Sequence, residues 1–324
     1  MIINKKKKDI NWFEVTIINQ QMKFKAITII CFMCSAMCCN SNTGKVSAQD
    51  SPEWLILSKE AQERVVNDYV DALDEFAQVM PKFGQDTEAQ WAADTVHAMV
   101  SALKQGQYSF QKSLATISQI QNYTGYGMAY FNATIGLYKE PHLAGFALDI
   151  IHANDSVYNE LQRKQFKDIR LLSHYRIISI NNMQLFNSLN RINNEKPIDN
   201  EFRFTLFCLG KLDEMMKKDE YSEKEIFKIS SVLESYSFFQ MMCPLLMLFS
   251  GSKENYDSNI DVITDAAMHI DSQSTSVIQA AREGEKVVVM GDSDFEKWMI
   301  KTSHHKVKLL KLLTKFVKEW EPSE

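Results

Sequence analysis

Three capping-box patterns, each followed by a long apolar stripe of helical period, constrain this chain more than any other feature. Ser222 with Glu225 and Ser293 with Glu296 fit the box in full, and Ser258 with Asp261 is a weaker version. Tyr221 and Ile226 stand where a hydrophobic staple would close the first box. The stripes are Ile226, Ile229, Leu233, Tyr236, Cys243; then Ile260, Ile263, Ala267, Ile270, Val277; then Phe295, Trp298, Leu309, Leu312, Phe316. Spacings of three and four put each set on one face of a helix. At 1.5 Å per residue, such helices reach roughly 40 Å.

Punctuation is scarce. Eleven Gly and six Pro in 324 residues fall below ordinary usage of roughly 7% and 5%, so few turns and long helices are expected. Pro52, Pro81, Pro141, Pro197 and Pro322 lie between apolar-periodic segments, and only Pro244 lies inside one. Upstream, a helix is expected from Ser51-Pro52, with Val66, Tyr69, Leu73, Phe76 and Met80 as its stripe. Another starts at Thr87, whose box partner is Gln90, with Val96, Met99 and Leu103 inward. Phe110, Leu114 and Ile117 continue, the pattern is helical again over 141–193, and Phe202 to Met216 is a further helix. Val287-Val288-Val289 is the one short β-like run, too short to build a sheet. The chain therefore reads as all-α, a bundle of long antiparallel helices, with an irregular solenoid-like array of helix pairs as the alternative. Residues 49–324 form one domain in this reading, with a division between two halves at 193–198.

The segment before residue 49 reads as an address label. Lys23 and Lys25 precede an uncharged run from Ala26 to Cys39, and Val46-Ser47-Ala48 offers the small residues of a cleavage site. A spanning helix needs about 20 apolar residues, and this run is shorter. Export is expected, with Met22 as the effective start, cleavage after Ala48 and Gln49 as the new first residue. Lipid attachment at Cys38 is the competing reading, with Ser35 and Ala36 as its small residues. Cys31, Cys34, Cys38 and Cys39 lack the turn residues and second ligand pair of a zinc site.

Charge narrows the partners. The whole chain is −5, and residues 1–48 hold seven lysines against two acids, so the remainder stands near −10. That disfavours nucleic acid and general binding to anionic membranes. Another envelope protein is the expected partner, with membrane contact only through an uncleaved or lipidated leader.

Several residue sets are candidates for chemistry. Lys286–Phe295 resembles the strand–Gly-Asp-Ser start of GDS-type serine hydrolases, but there a parallel sheet follows the motif; here one helix follows, and Ser293 reads as its cap. Asp149 with His152, and Asp265 with His269, share helix faces and together form a candidate metal set, as in carboxylate–histidine bundles. His304 and His305 are adjacent and diverge. Tyr123, Tyr126, Tyr130 and Tyr138, among Gly125, Gly127 and Gly136, suit a partner or ligand surface, or a tightly packed helix. The nearly all-apolar 238–249 reads as a fully buried helix, kinked at Pro244, with a ligand cavity as its functional option. Cys208 and Cys243 are a candidate disulfide or two buried thiols. The last helix carries Lys297, Lys301, Lys306, Lys308, Lys311, Lys315 and Lys318 opposite its apolar stripe, fitting a closing helix or a membrane-surface helix. Taken together, these features favour an exported, non-enzymatic binding or scaffolding protein without cofactor. A helical ligand binder and a metal-dependent enzyme are the alternatives.

Overall fold

The computed structural model describes residues 57–83, 87–106, 200–218 and 220–321, with scattered positions at 108, 112–114, 116–117, 120, 160 and 163–164. The tyrosines 123, 126, 130 and 138, the pair Asp149 and His152, the leader with Cys38, Ala48 and Gln49, and the 193–198 division all lie outside them. The described residues are all-α, with no strand among them.

Seven α-helices are described: α1 (Lys59–Ala77), α2 (Thr87–Lys104), α3 (Asn200–Lys217), α4 (Glu223–Phe249), α5 (Lys253–Asp257), α6 (Ile260–Glu283) and α7 (Asp292–Glu319). A 3-10 turn at Met80–Phe83 carries Pro81. Of the three expected capping boxes, one forms as written. Ser222 Oγ accepts from the Glu225 backbone while Glu225 accepts from the Ser222 backbone at 2.8 Å. Its staple partners Tyr221 and Ile226 are both buried. The other two need correction. Gly291, not Ser293, precedes α7, and Glu296 instead accepts from the Ser58 backbone at 2.8 Å. Ser258 ends α5, and Asn259 starts α6 without a side-chain cap. The first described helix starts at Lys59, capped by Ser58, whose hydroxyl accepts from Ala61. A pattern match identifies residues able to cap; tertiary competition for their oxygens decides which of them do.

The stripes face inward as the spacing requires, except that Ile260, the first residue of α6, is 40% exposed, and Val66, Tyr236, Cys243 and Ala267 are only half-buried. Tyr69, Leu73, Phe76, Ile229, Leu233, Ile263, Ile270, Leu309 and Phe316 are all buried. Two clusters result. One joins α1, α2, the C-terminal half of α4, the first half of α6 and the C-terminal half of α7; the other joins Val65 of α1, α3, the first half of α4, the C-terminal half of α6 and the first turns of α7 around Phe227, Phe295 and Trp298. Phe227 and Phe295 meet edge-on at 5.8 Å, a favoured aromatic geometry.

Paired contacts give the helix directions. Ser58 meets Glu296, Val65 meets Ser303, and Lys82 meets Lys318, so α1 and α7 run the same way. Lys228 meets Asp292, Glu234 meets Lys306, and Phe249 meets Trp320, so α4 and α7 also run the same way. Short connections would have made sequence neighbours antiparallel; these parallel pairs are instead made by segments far apart in the chain. The α6–α7 connection is irregular rather than β-like. Gly284 turns the chain in the left-handed region at φ 73°, and Val287 donates its N–H to the Tyr221 hydroxyl at 2.9 Å.

Helix α4 departs from the expected burial. It continues through Pro244 to Phe249, but Met247 is 64% exposed, and Gln240 and Cys243 are half-buried. The helix is apolar nearly all round, so its neighbours cannot cover every face.

Candidate functional site

Helix α7 carries the arrangement with the clearest chemical meaning. Its inner half packs on α1, α4 and α6. Fourteen of its 28 residues are buried, a wide band that includes the polar Thr302, Ser303, His305, Lys306 and Thr314. Apart from Asp292, Ser293 and Asp294 at its start and Glu319 at its end, what remains exposed is a narrow line: Lys297, Lys301, His304, Lys308, Lys311, Lys315 and Lys318. The intervals alternate four and three along the whole line. At 1.5 Å per residue the line is roughly 32 Å long. None of its six lysines forms an ion pair with a described residue. The line therefore presents six amines in register on a chain whose net charge is −5.

Lys306 is the exception, and it corrects the grouping of all seven lysines on one face. It lies nine residues after Lys297, about 180° round the helix at 3.6 residues per turn. Its Nζ donates to Glu234 Oε2 on α4 at 2.6 Å, with side chains only 11% and 10% exposed. The Phe238 ring lies 5.5 Å from the amine. A cavity of about 30 Å³ adjoins the pair, lined in part by Tyr69, Ser235, Thr302 and Ser303. That volume suits about two waters, not an organic ligand. The cavity is between α1, α4 and α7, not at the Pro244 position.

The α6 side of α7 holds a second buried polar group. His269 Nε2 lies 2.9 Å from Thr302 Oγ1, its ring stacks on Trp298 with centroids 6.0 Å apart, and the His305 ring is 5.0 Å away. His305 is 6% exposed, and among the described residues neither of its ring nitrogens has a hydrogen-bond partner; Trp298 Nε1 likewise has none there. Burial pulls the His305 pKa down to about 4, helped by His269, Lys301, Lys308 and His304. Burial and then Lys301 lower that of His269, against the opposing Trp298 carbonyl. These imidazoles are neutral near pH 7.

The expected metal set is not assembled by the described half of it. Asp265 is exposed, while His269 turns towards α7 and meets Thr302. No three His, Cys, Asp or Glu side chains gather in metal-binding range among the described residues. Cys208 and Cys243 are free thiols in different clusters, so the candidate disulfide is not formed. Burial raises both, Cys243 to about 12, which keeps its reactive thiolate scarce.

At the two ends of α7, charge is managed by other helices. Asp292 in its first turn meets Lys224 and Lys228 of α4, and Lys228 also donates to the Met290 carbonyl. Lys82 donates to the Lys318 carbonyl at 2.6 Å at the far end. Anion at the start and cation at the end both suit the helix dipole. The exposed lysines between have no such employment. No known family model, curated protein or solved structure matches this chain.

The run of lysines in the sequence does not by itself separate Lys306 from the rest. The alternating four-three spacing, which admits His304 and excludes Lys306, is the signal that does. Glu234 and the His269–His305 pairing had no comparable signal, because each joins residues on different helices.

Proposed function

We propose that this chain is an exported, non-enzymatic helical protein that binds or scaffolds another component of the cell envelope. The single observation that carries the binding half is the lysine line of α7. Six exposed cations in one register, without described counterions, make a surface for an anionic partner. The membrane-surface alternative for this helix loses its main support, because the apolar stripe that would enter a bilayer is packed against α1, α4 and α6.

The export half rests on the leader pattern: Lys23 and Lys25, the uncharged run Ala26 to Cys39, and Val46-Ser47-Ala48. No helix of the described residues is long and apolar enough to cross a membrane. Lipid anchoring at Cys38 is the variant of this reading.

Two measurements test the proposal. Mass spectrometry of the native N-terminus is expected to find Gln49; an intact Lys23–Ala48 segment on the mature protein overturns export. Affinity capture from solubilised native envelope is expected to retain a partner that is released as salt rises, since exposed ion pairs are screened within about 10 Å at 0.1 M salt. Retention of nothing overturns the binding reading.

A further inference from the structure

We infer that the partner docks on α7 through an acidic α-helix laid along the lysine line. This inference rests on the binding function proposed above and specifies the partner's chemistry. The spacing is its first support. Lys297, Lys301, Lys308, Lys311, Lys315 and Lys318, with His304 filling the one gap, keep a strict four-three alternation through six intervals. The result is a straight ridge of like charge running along roughly six helical turns, a surface along which a second helix can lie lengthwise.

The flanks are the second support. Ser58–Glu296 and Val65–Ser303 place α1 on one side of the line, and His269–Thr302 places α6 on the other. Both flanking helices expose more acids than bases: Glu60, Glu63, Asp68, Asp71 and Glu75 against Lys59 and Arg64 on α1, and Asp261, Asp265 and Glu283 against Arg282 on α6, although Glu63, Asp68 and Asp71 are partly offset by Lys59, Arg64 and Lys104. A flat anionic bilayer approaching the lysines would meet these carboxylates as well. A rod one helix wide meets the lysines first and leaves the shoulders in solvent. Carboxylates at matching heptad spacing would pair with successive amines. Exposed pairs are individually weak, so affinity depends on several engaging together. The same arrangement sets orientation, because offsetting the rod opposes its gaps to the amines.

The test uses the full mature chain and a synthetic helical peptide carrying glutamates in the same four-three pattern. A peptide of identical composition with the glutamates scrambled serves as comparison. The patterned peptide is expected to bind at low salt, and the scrambled one to bind several-fold more weakly. The triple variant K301E/K308E/K315E is expected to weaken patterned-peptide binding by about tenfold or more, as three ion pairs become repulsions. Circular dichroism confirms that the variant is folded; these side chains are exposed and unpaired, so it should be. Equal binding of both peptides overturns the helix inference, as does binding unchanged in the triple variant. Adsorption to phosphatidylglycerol vesicles without peptide binding assigns the line to a membrane and overturns it too. Self-association that is lost in the triple variant, without peptide binding, assigns it to a second copy with the same consequence. Envelope capture by wild type that persists in the triple variant sinks this inference while the binding function stands. Capture by neither removes the function itself.

Discussion

Lys306 and Lys308 lie two residues apart on α7 and lead opposite lives. Lys306 faces α4, gives up water and holds Glu234 at 2.6 Å. Lys308 faces solvent in a line of like charges with no described counterion. The inner lysine is fixed by what surrounds it, since a buried ammonium without a carboxylate is costly. The outer lysines stand where burial of the other faces leaves the helix in solvent, so their spacing follows from the fold, but the fold does not require that six of these seven positions be lysine. A choice of residue that the fold does not require is the better pointer to function.

The largest effect that bears on this contrast should come from the inner side. Lys306→Ala leaves Glu234 buried and unpaired and is expected to cost about 3–5 kcal/mol in urea unfolding. The double variant E234L/K306M should recover most of that loss, because an apolar pair avoids the desolvation of two charges. A loss below about 1 kcal/mol for Lys306→Ala would erase the distinction between the two faces.

Next comes acid. His269 and His305 have folded pKa values below the ordinary 6.5, His305 at about 4. The unfolded chain therefore binds more protons between those values, and stability falls as pH drops from about 6.5 towards 4. The shift of His305 corresponds to roughly 2–3 kcal/mol over that window. His305→Phe should flatten this dependence and be close to neutral at pH 7, since it replaces a polar ring that has no partner among the described residues. Equal pH dependence in wild type and variant would remove His305 from the account.

An edge residue should lie between the extremes. Glu296 accepts from the Ser58 backbone and so ties the start of α1 to α7. Glu296→Ala is expected to cost about 1 kcal/mol, like loss of other helix caps. Hydrogen exchange should show the first turn of α1 opening more readily. The smallest effect belongs to the outer line. The triple variant K301E/K308E/K315E should change unfolding free energy by no more than about 0.5 kcal/mol. A much larger loss would make the line a structural feature and weaken its claim as a docking face.

The sequence exposed a good deal of this, and the failures have a common cause. The stripes on α1, α4, α6 and α7 were legible because helical period depends only on local spacing. The Ser222–Glu225 box was legible because both partners lie within one turn. Ser293 misled because its box partner Glu296 was taken by Ser58, 238 residues away in sequence. The apolar 238–249 misled because hydrophobicity shows a tendency to bury, not which neighbour is there to do it, and Met247 stays exposed. His269 was read with Asp265 on its own helix but meets Thr302 and His305 on the next.

By itself, then, the sequence determined that the described chain is helical, which faces turn inward, and that a lysine line with heptad spacing marks the last helix. These follow from the 3.6-residue turn and from the cost of leaving apolar stripes in water. Only the tertiary structure decided that α1 and α4 run parallel to α7, that Lys306 leaves the line for Glu234, and that two imidazoles meet behind it. Those are contacts between distant segments, fixed by the shape each helix presents to its neighbours, and no local pattern encodes them.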